Sequence, residues 1–240
     1  NAVTSWSGYY QVANRANIIM EAIAEKEEYQ IAVDAGIPNE WTQLYGEAAV
    51  FRAFSYFTLI KLFGDVPYHD KATTTLSQTT PTGLTSRFVI YDGEIANLIK
   101  VEPLMYRIGE GGLTAERFSR TFAQGLIGRM CLFAGGWSTC RTDFDYGDVT
   151  FEQKGIEQWN AKYVRVTDYK TKYYATAKTY LDLCVSNPGS AYLITTDPRG
   201  AAFNNPFQLH FQNLMDLKVS PESLFEIGAT QAYNGDFTYS

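Results

Sequence analysis

The 240 residues are 45% hydrophobic and 19% charged with only 8 Pro, which excludes a disordered or collagen-like chain and leaves length enough for a sizeable core. With 20 Lys and Arg against 26 Asp and Glu the formal net charge is −6, and this removes the electrostatic term on which nucleic-acid affinity rests. No run approaches the ~18 consecutive apolar residues that would span a bilayer, and Cys131, Cys140 and Cys184, without a CxxC pair, argue for buried free thiols against a zinc site or a disulfide framework.

Taken in chain order, Trp6, Tyr10, Ala13, Ala16, Met20 and Ile23 recur every three or four residues, the stripe of an amphipathic helix predicted over 6–28. A loop through Gly36, Pro38 and Asn39 follows. Residues 41–63 then carry apolar side chains on two faces, Trp41, Tyr45, Ala48, Phe51 and Leu59 on one and Ala49, Ala53, Tyr56 and Ile60 on the other, so this helix is expected to lie between layers. Gly64 and Pro67 are placed to stop it. Residues 70–83 are a polar loop by composition, a third helix is predicted from Phe88 to Leu104, and a glycine-rich turn at 106–113 precedes a fourth over 116–134. Residues 138–166 mix Asp, Gly, Tyr and Trp without a period and are expected to be irregular. A fifth helix over 168–186, a poorer sixth over 207–217 and an alternating, strand-like stretch at 223–230 complete the order. The expected fold is one mostly α domain over 1–240, built of stacked αα-hairpins like tetratricopeptide pairs, without a regular ~34-residue period, and with a minor β element near 223–229.

The segment GEAAVFRAFSYFTLIKLFGDVPYHDK, residues 46–71, closely resembles the signature of the SusD/RagB family of outer-membrane nutrient-binding lipoproteins, matching it at Glu47, Ala48, Arg52, Ala53, Tyr56, Phe57, Leu59 and the run from Phe63 through Gly64, Asp65 and Val66 to Pro67. The likeness continues in order at Trp6–Ile19, Phe118–Phe133, Tyr173–Leu183 and Pro221–Ile227. It implies a tetratricopeptide-like scaffold that acts as a lid on a SusC-like TonB-dependent transporter. It also implies an outward-facing outer-membrane location held by a lipid anchor outside this segment, and an oligosaccharide ligand or, in one branch, a peptide. Members are roughly twice this long, so the leader, the lipid-anchor Cys and the C-terminal half are expected to be absent from this chain. A helical-repeat scaffold for protein partners is the alternative.

Within the signature, Glu47, Arg52, Gly64, Asp65 and Pro67 are expected to determine the fold: Arg52 as a buried cation bonded to a carboxylate or carbonyl, Asp65 as a fastener of the turn. Asn14 and Asn17 are read as hydrogen-bonded packing residues. Catalytic residues are not assigned, because His69 and His210 stand alone and no nucleophile motif is present; the chain is expected to bind rather than catalyse. Asp143, Asp145 and Asp148 in DFDYGD resemble a calcium loop, yet the glycine falls one place early and Lys154 occupies the position of the closing Glu, so a solvated acidic loop is expected and a looser calcium site is the only cofactor considered. Sugar recognition favours flat aromatic faces beside amides and carboxylates. Trp137, Phe144, Tyr146, Trp159 and Tyr163 in one segment, and Tyr233, Asn234 and Tyr239 in another, are the ligand-binding candidates.

Overall fold

The computed structural model describes residues 2–75, 83–216 and 218–228. Among these the helices are α1 (Ala2–Ala24), α2 (Glu27–Ala35), α3 (Glu40–Phe63), α4 (Arg87–Val101), α5 (Arg120–Ala134), α6 (Ala175–Ser186) and α7 (Pro206–Met215), and the strands are β1 (Ser138–Arg141), β2 (Phe151–Gln158) and β3 (Ala161–Val166). The long helices layer in chain order, α1 on α3, α3 on α4, α4 on α5 and α5 on α6. The mostly α, tetratricopeptide-like expectation holds. No helix of the described residues is long and apolar enough to cross a membrane.

α3 is the central helix, as its two apolar faces predict: Ala48, Ala49, Val50, Ala53, Tyr56, Phe57, Leu59 and Ile60 are all buried. Its start is set by a reciprocal cap in which the Asn39 side chain accepts from the Thr42 N–H while Thr42 Oγ1 accepts from the Asn39 N–H. Close packing elsewhere depends on small residues. At Gly128 an added Cβ would lie 2.5 Å from Leu181 Cγ, so α5 and α6 can approach only because that side chain is missing.

Several boundaries differ from the sequence expectation for identifiable reasons. The predicted helix over 6–28 stops at Ala24 and a separate α2 begins at Glu27. The run Glu25–Lys26–Glu27–Glu28 has no apolar residue to continue the stripe, and the break lets Tyr29 stack on Tyr45 of α3 with centroids 4.9 Å apart. The third helix ends in a 3-10 turn at Glu102–Leu104. The fourth helix begins at Arg120 instead of 116 because Ser119 Oγ caps the Phe122 N–H at 3.1 Å. The fifth opens with a π turn at Lys170–Tyr174.

Two β expectations are corrected. Residues 138–166 are not irregular: they form an antiparallel sheet of order β1-β3-β2. β2 is exposed along nearly its whole length, so it carries no apolar alternation that would reveal it in the sequence. Conversely, 223–228 form no strand. The apolar side chains there pack instead, Phe225 stacking on Phe118 at 4.3 Å, and the backbone ties down through Glu226 N–H to the Ala115 carbonyl at 2.7 Å, with no strand paired to it among the described residues.

Candidate functional site

The segment from Pro67 to Thr73, which follows the FGDV turn, straps α1 to the rest of the scaffold. Tyr10 Oη donates to the Pro67 carbonyl at 2.7 Å, Asn17 Nδ2 donates to the carbonyls of His69 and Lys71, and Asn14 exchanges hydrogen bonds with the Thr73 backbone. Beneath the strap Arg52, only 6% exposed, donates through Nε to Glu94 at 2.9 Å and through Nη1 to Asn17 Oδ1 and the Asp70 carbonyl. Tyr68 Oη completes the Glu94 carboxylate at 2.8 Å. Burial pushes the Glu94 carboxyl above its ordinary range even though Arg52 and Tyr68 pull it down. Glu47 accepts from Gln43 Nε2 at 2.7 Å, and Gln43 in turn bonds the backbone at Phe118 and Tyr106. These groups bond to one another and to the backbone, and so tie the strap to α1, α3 and α4.

At the other end of the signature the chain turns toward a cleft. Gly64 has φ +80°, which favours glycine at the turn, and a Cβ there would stand 2.6 Å from Arg87 Nη2 and displace the guanidinium that lies across it. Arg87 forms a two-pronged pair with Asp65, at 3.0 and 3.1 Å, and its backbone N–H donates to the same carboxylate at 2.9 Å. Tyr146 Oη adds a fourth bond to Asp65 at 2.6 Å. Burial alone would raise the Asp65 carboxyl; the hydrogen bonds from Arg87 and Tyr146 outweigh it and hold the carboxyl below the ordinary carboxylate range.

A cleft of about 540 Å³ opens between the C-terminal end of α3, the N-terminal end of α4 and β1, lined by Lys61, Phe63, Arg87, Phe133, Trp137, Ser138, Thr139 and Arg141 among others. Trp137 is the half-buried aromatic wall. The register pairs Tyr163 of β3 with Lys154 of β2, which puts them on one face of the sheet with Arg165 two residues on. Trp137 lies along these groups: Tyr163 stacks on it at 5.4 Å and 27°, and Lys154 Nζ and the Arg165 guanidinium stand 4.4 and 4.8 Å from its centroid.

The other candidates separate. Tyr146 is 7% exposed, with its hydroxyl held by Asp65 and its ring against Phe88 and Phe151; it supports the cleft from below and offers no face to a ligand. Half-buried Phe144 packs edge-on to Tyr146. Trp159 is 95% exposed at the tip of the β2–β3 hairpin, where it and Asn160 both have φ +56°. Tyr233, Asn234 and Tyr239 lie outside the described residues. In the acidic loop Asp143 pairs with Arg141 at 2.8 Å and Asp145 accepts from the Gly147 N–H, and no cluster of His, Cys, Asp and Glu suited to a metal occurs among the described residues. Sequence reasoning missed Lys61, Arg87 and Arg141: each is an ordinary helix or strand residue whose place at the cleft depends on the sheet, which the periodicity did not show.

The comparisons with known proteins agree with this architecture. Residues 1–87 match the SusD-like_3 family model, described as starch-binding and associating with the outer membrane. A SusD-like protein of Formosa agariphila is 38% identical over 72 residues, which are 30% of this chain and 12% of that protein. A SusD homolog from Bacteroides thetaiotaomicron superposes over 95% of this chain and 39% of its own, with TM-score 0.61 at 18% identity. A protein solved with a xylogluco-oligosaccharide superposes over 79% of this chain and 30% of its own, with TM-score 0.52 at 17% identity. The chain therefore spans well under half of these relatives, less than the half expected from the sequence. The first 87 residues thus carry a sequence likeness to the SusD-like family, and the fold resembles that of a SusD homolog over nearly the full length of the chain.

Proposed function

We propose that the intact protein is a carbohydrate-binding protein, not an enzyme: a lipid-anchored lid on the outer face of the outer membrane that captures an oligosaccharide and delivers it to a SusC-like TonB-dependent transporter. The match of residues 1–87 to a family described as starch-binding and associating with the outer membrane carries this reading. The aromatic Trp137 wall of a cleft that polar residues such as Thr139 and Arg141 also line supports it, since a pyranose offers one apolar face and a rim of hydroxyls to such a surface. The fold neighbour solved with a xylogluco-oligosaccharide agrees with a glycan over a peptide ligand. Two measurements test the proposal. Gentle detergent extraction of native membranes should copurify the protein with a large β-barrel, and calorimetry should give heat with oligosaccharides and none with peptides. Free monomer at every salt concentration, or heat with peptides alone, overturns it.

A further inference from the structure

The cleft beside Trp137 has a charge character opposite to that of the chain. In a protein of net charge −6 its lining contains Lys61, Arg87 and Arg141 and no acidic residue. Two of these cations are already answered, Arg87 by Asp65 at 3.0 Å and Arg141 by Asp143 at 2.8 Å. Lys61 is in no ion pair among the described residues; its ammonium stands 4.6 Å from the Phe57 centroid, and the Arg129 guanidinium approaches the same ring at 5.8 Å from α5. Partial burial and the Arg129 charge lower the affinity of Lys61 for its proton, and an anion placed beside it would act in the opposite direction.

A neutral sugar would make no use of the Lys61 charge at the cleft. A sugar carrying a carboxylate or a sulfate would lay its apolar face on the indole and set its charge against the Lys61 ammonium. We infer that this cleft takes a negatively charged glycan unit, a uronate or a sulfate ester, with Trp137 as its stacking surface and Lys61 as its charge partner. The inference rests on the glycan-binding reading above and narrows it.

Calorimetry of the intact protein with an oligogalacturonate, a sulfated galactan oligomer and a neutral xyloglucan oligomer, each at low and at physiological salt, tests this. At least one charged probe should bind, more weakly as salt rises, and the probe that does so tells carboxylate from sulfate. Lys61→Gln should weaken that binding about tenfold or more, Lys61→Arg should retain it, and Lys178→Gln, an exposed α6 substitution at a lysine that pairs with Asp182 and does not line the cleft, should leave it unchanged. Binding confined to the neutral probe and indifferent to Lys61→Gln overturns the charge assignment while the glycan reading stands. Charged-probe binding that survives Lys61→Gln, or falls equally in Lys178→Gln, overturns the site. Absence of heat with all three probes overturns the glycan reading itself.

Discussion

The strap region and the sheet region handle charge in opposite ways. Beneath the strap, Arg52 and Glu94 are buried and each finds several partners, with Asn17, Tyr68 and the Asp70 carbonyl closing the set. Around Trp137, Lys154 rests on the aromatic ring at the surface, Arg165 rests on the same ring while pairing with Glu152 at 2.7 Å, and Lys61 lines the cleft without an acidic partner among the described residues. A buried charge left without partners is costly, so the first arrangement is a condition of folding. An exposed cation costs little, so the second is free to serve binding. Most residues that make the sequence recognisable thus lie away from the cleft, and the signature reaches its lining at Phe63 and Gly64.

The hardest test of that division is Arg52→Ala, which leaves Glu94 buried without its cation and should cost about 3–5 kcal/mol of stability, measured by chemical denaturation. A loss under 1 kcal/mol would mean that the strap is not held from beneath. Trp137→Ala is the converse probe: glycan affinity should fall by about 1–3 kcal/mol in calorimetry, with the unfolding midpoint little changed. If the midpoint collapses instead, the indole is a packing residue and the two regions are not distinct.

Acid sharpens the comparison at the point where the regions join. Asp65 has its folded-state carboxyl held below the ordinary range. The stability it contributes is therefore present above the unfolded value, about pH 4, and is lost as pH falls through the lower folded value. Glu94, raised by burial, works in the opposite sense. Its destabilising ionisation is absent at low pH and is felt as pH rises through its folded value. The two are separated by Asp65→Asn, which should flatten the acid limb of a stability–pH curve; an unchanged limb would assign acid unfolding elsewhere.

The smallest expected effect is at the hairpin tip. Trp159 is bulky, exposed and in the left-handed region at φ +56°, where Asn is far better tolerated. Trp159→Asn should raise stability by about 1 kcal/mol or less and leave glycan affinity nearly unchanged, because Trp159 does not line the cleft. A marked loss of affinity would extend the binding surface to the tip.

Periodicity, caps and breakers are local properties, and where they decide structure the sequence was sufficient. The two apolar faces of residues 41–63 implied a helix between layers, the Gly64 turn ended it, and the run from Glu47 to Pro67 carried the family likeness. What failed locally also failed for a local reason: β2 is exposed on both sides and shows no alternation, while the alternation at 223–228 served ring packing against Phe118. Only the tertiary structure decided which aromatics face the cleft and which support it. Trp137 and Tyr146 look equivalent in the sequence, but the β1-β3 pairing brings one beside the cleft, while the hydrogen bond to Asp65, 81 positions away, buries the other. The surroundings of Lys61 are likewise long-range facts, because an arginine of α5 approaches the same Phe57 ring and the two arginines of the cleft pair with Asp65 and Asp143.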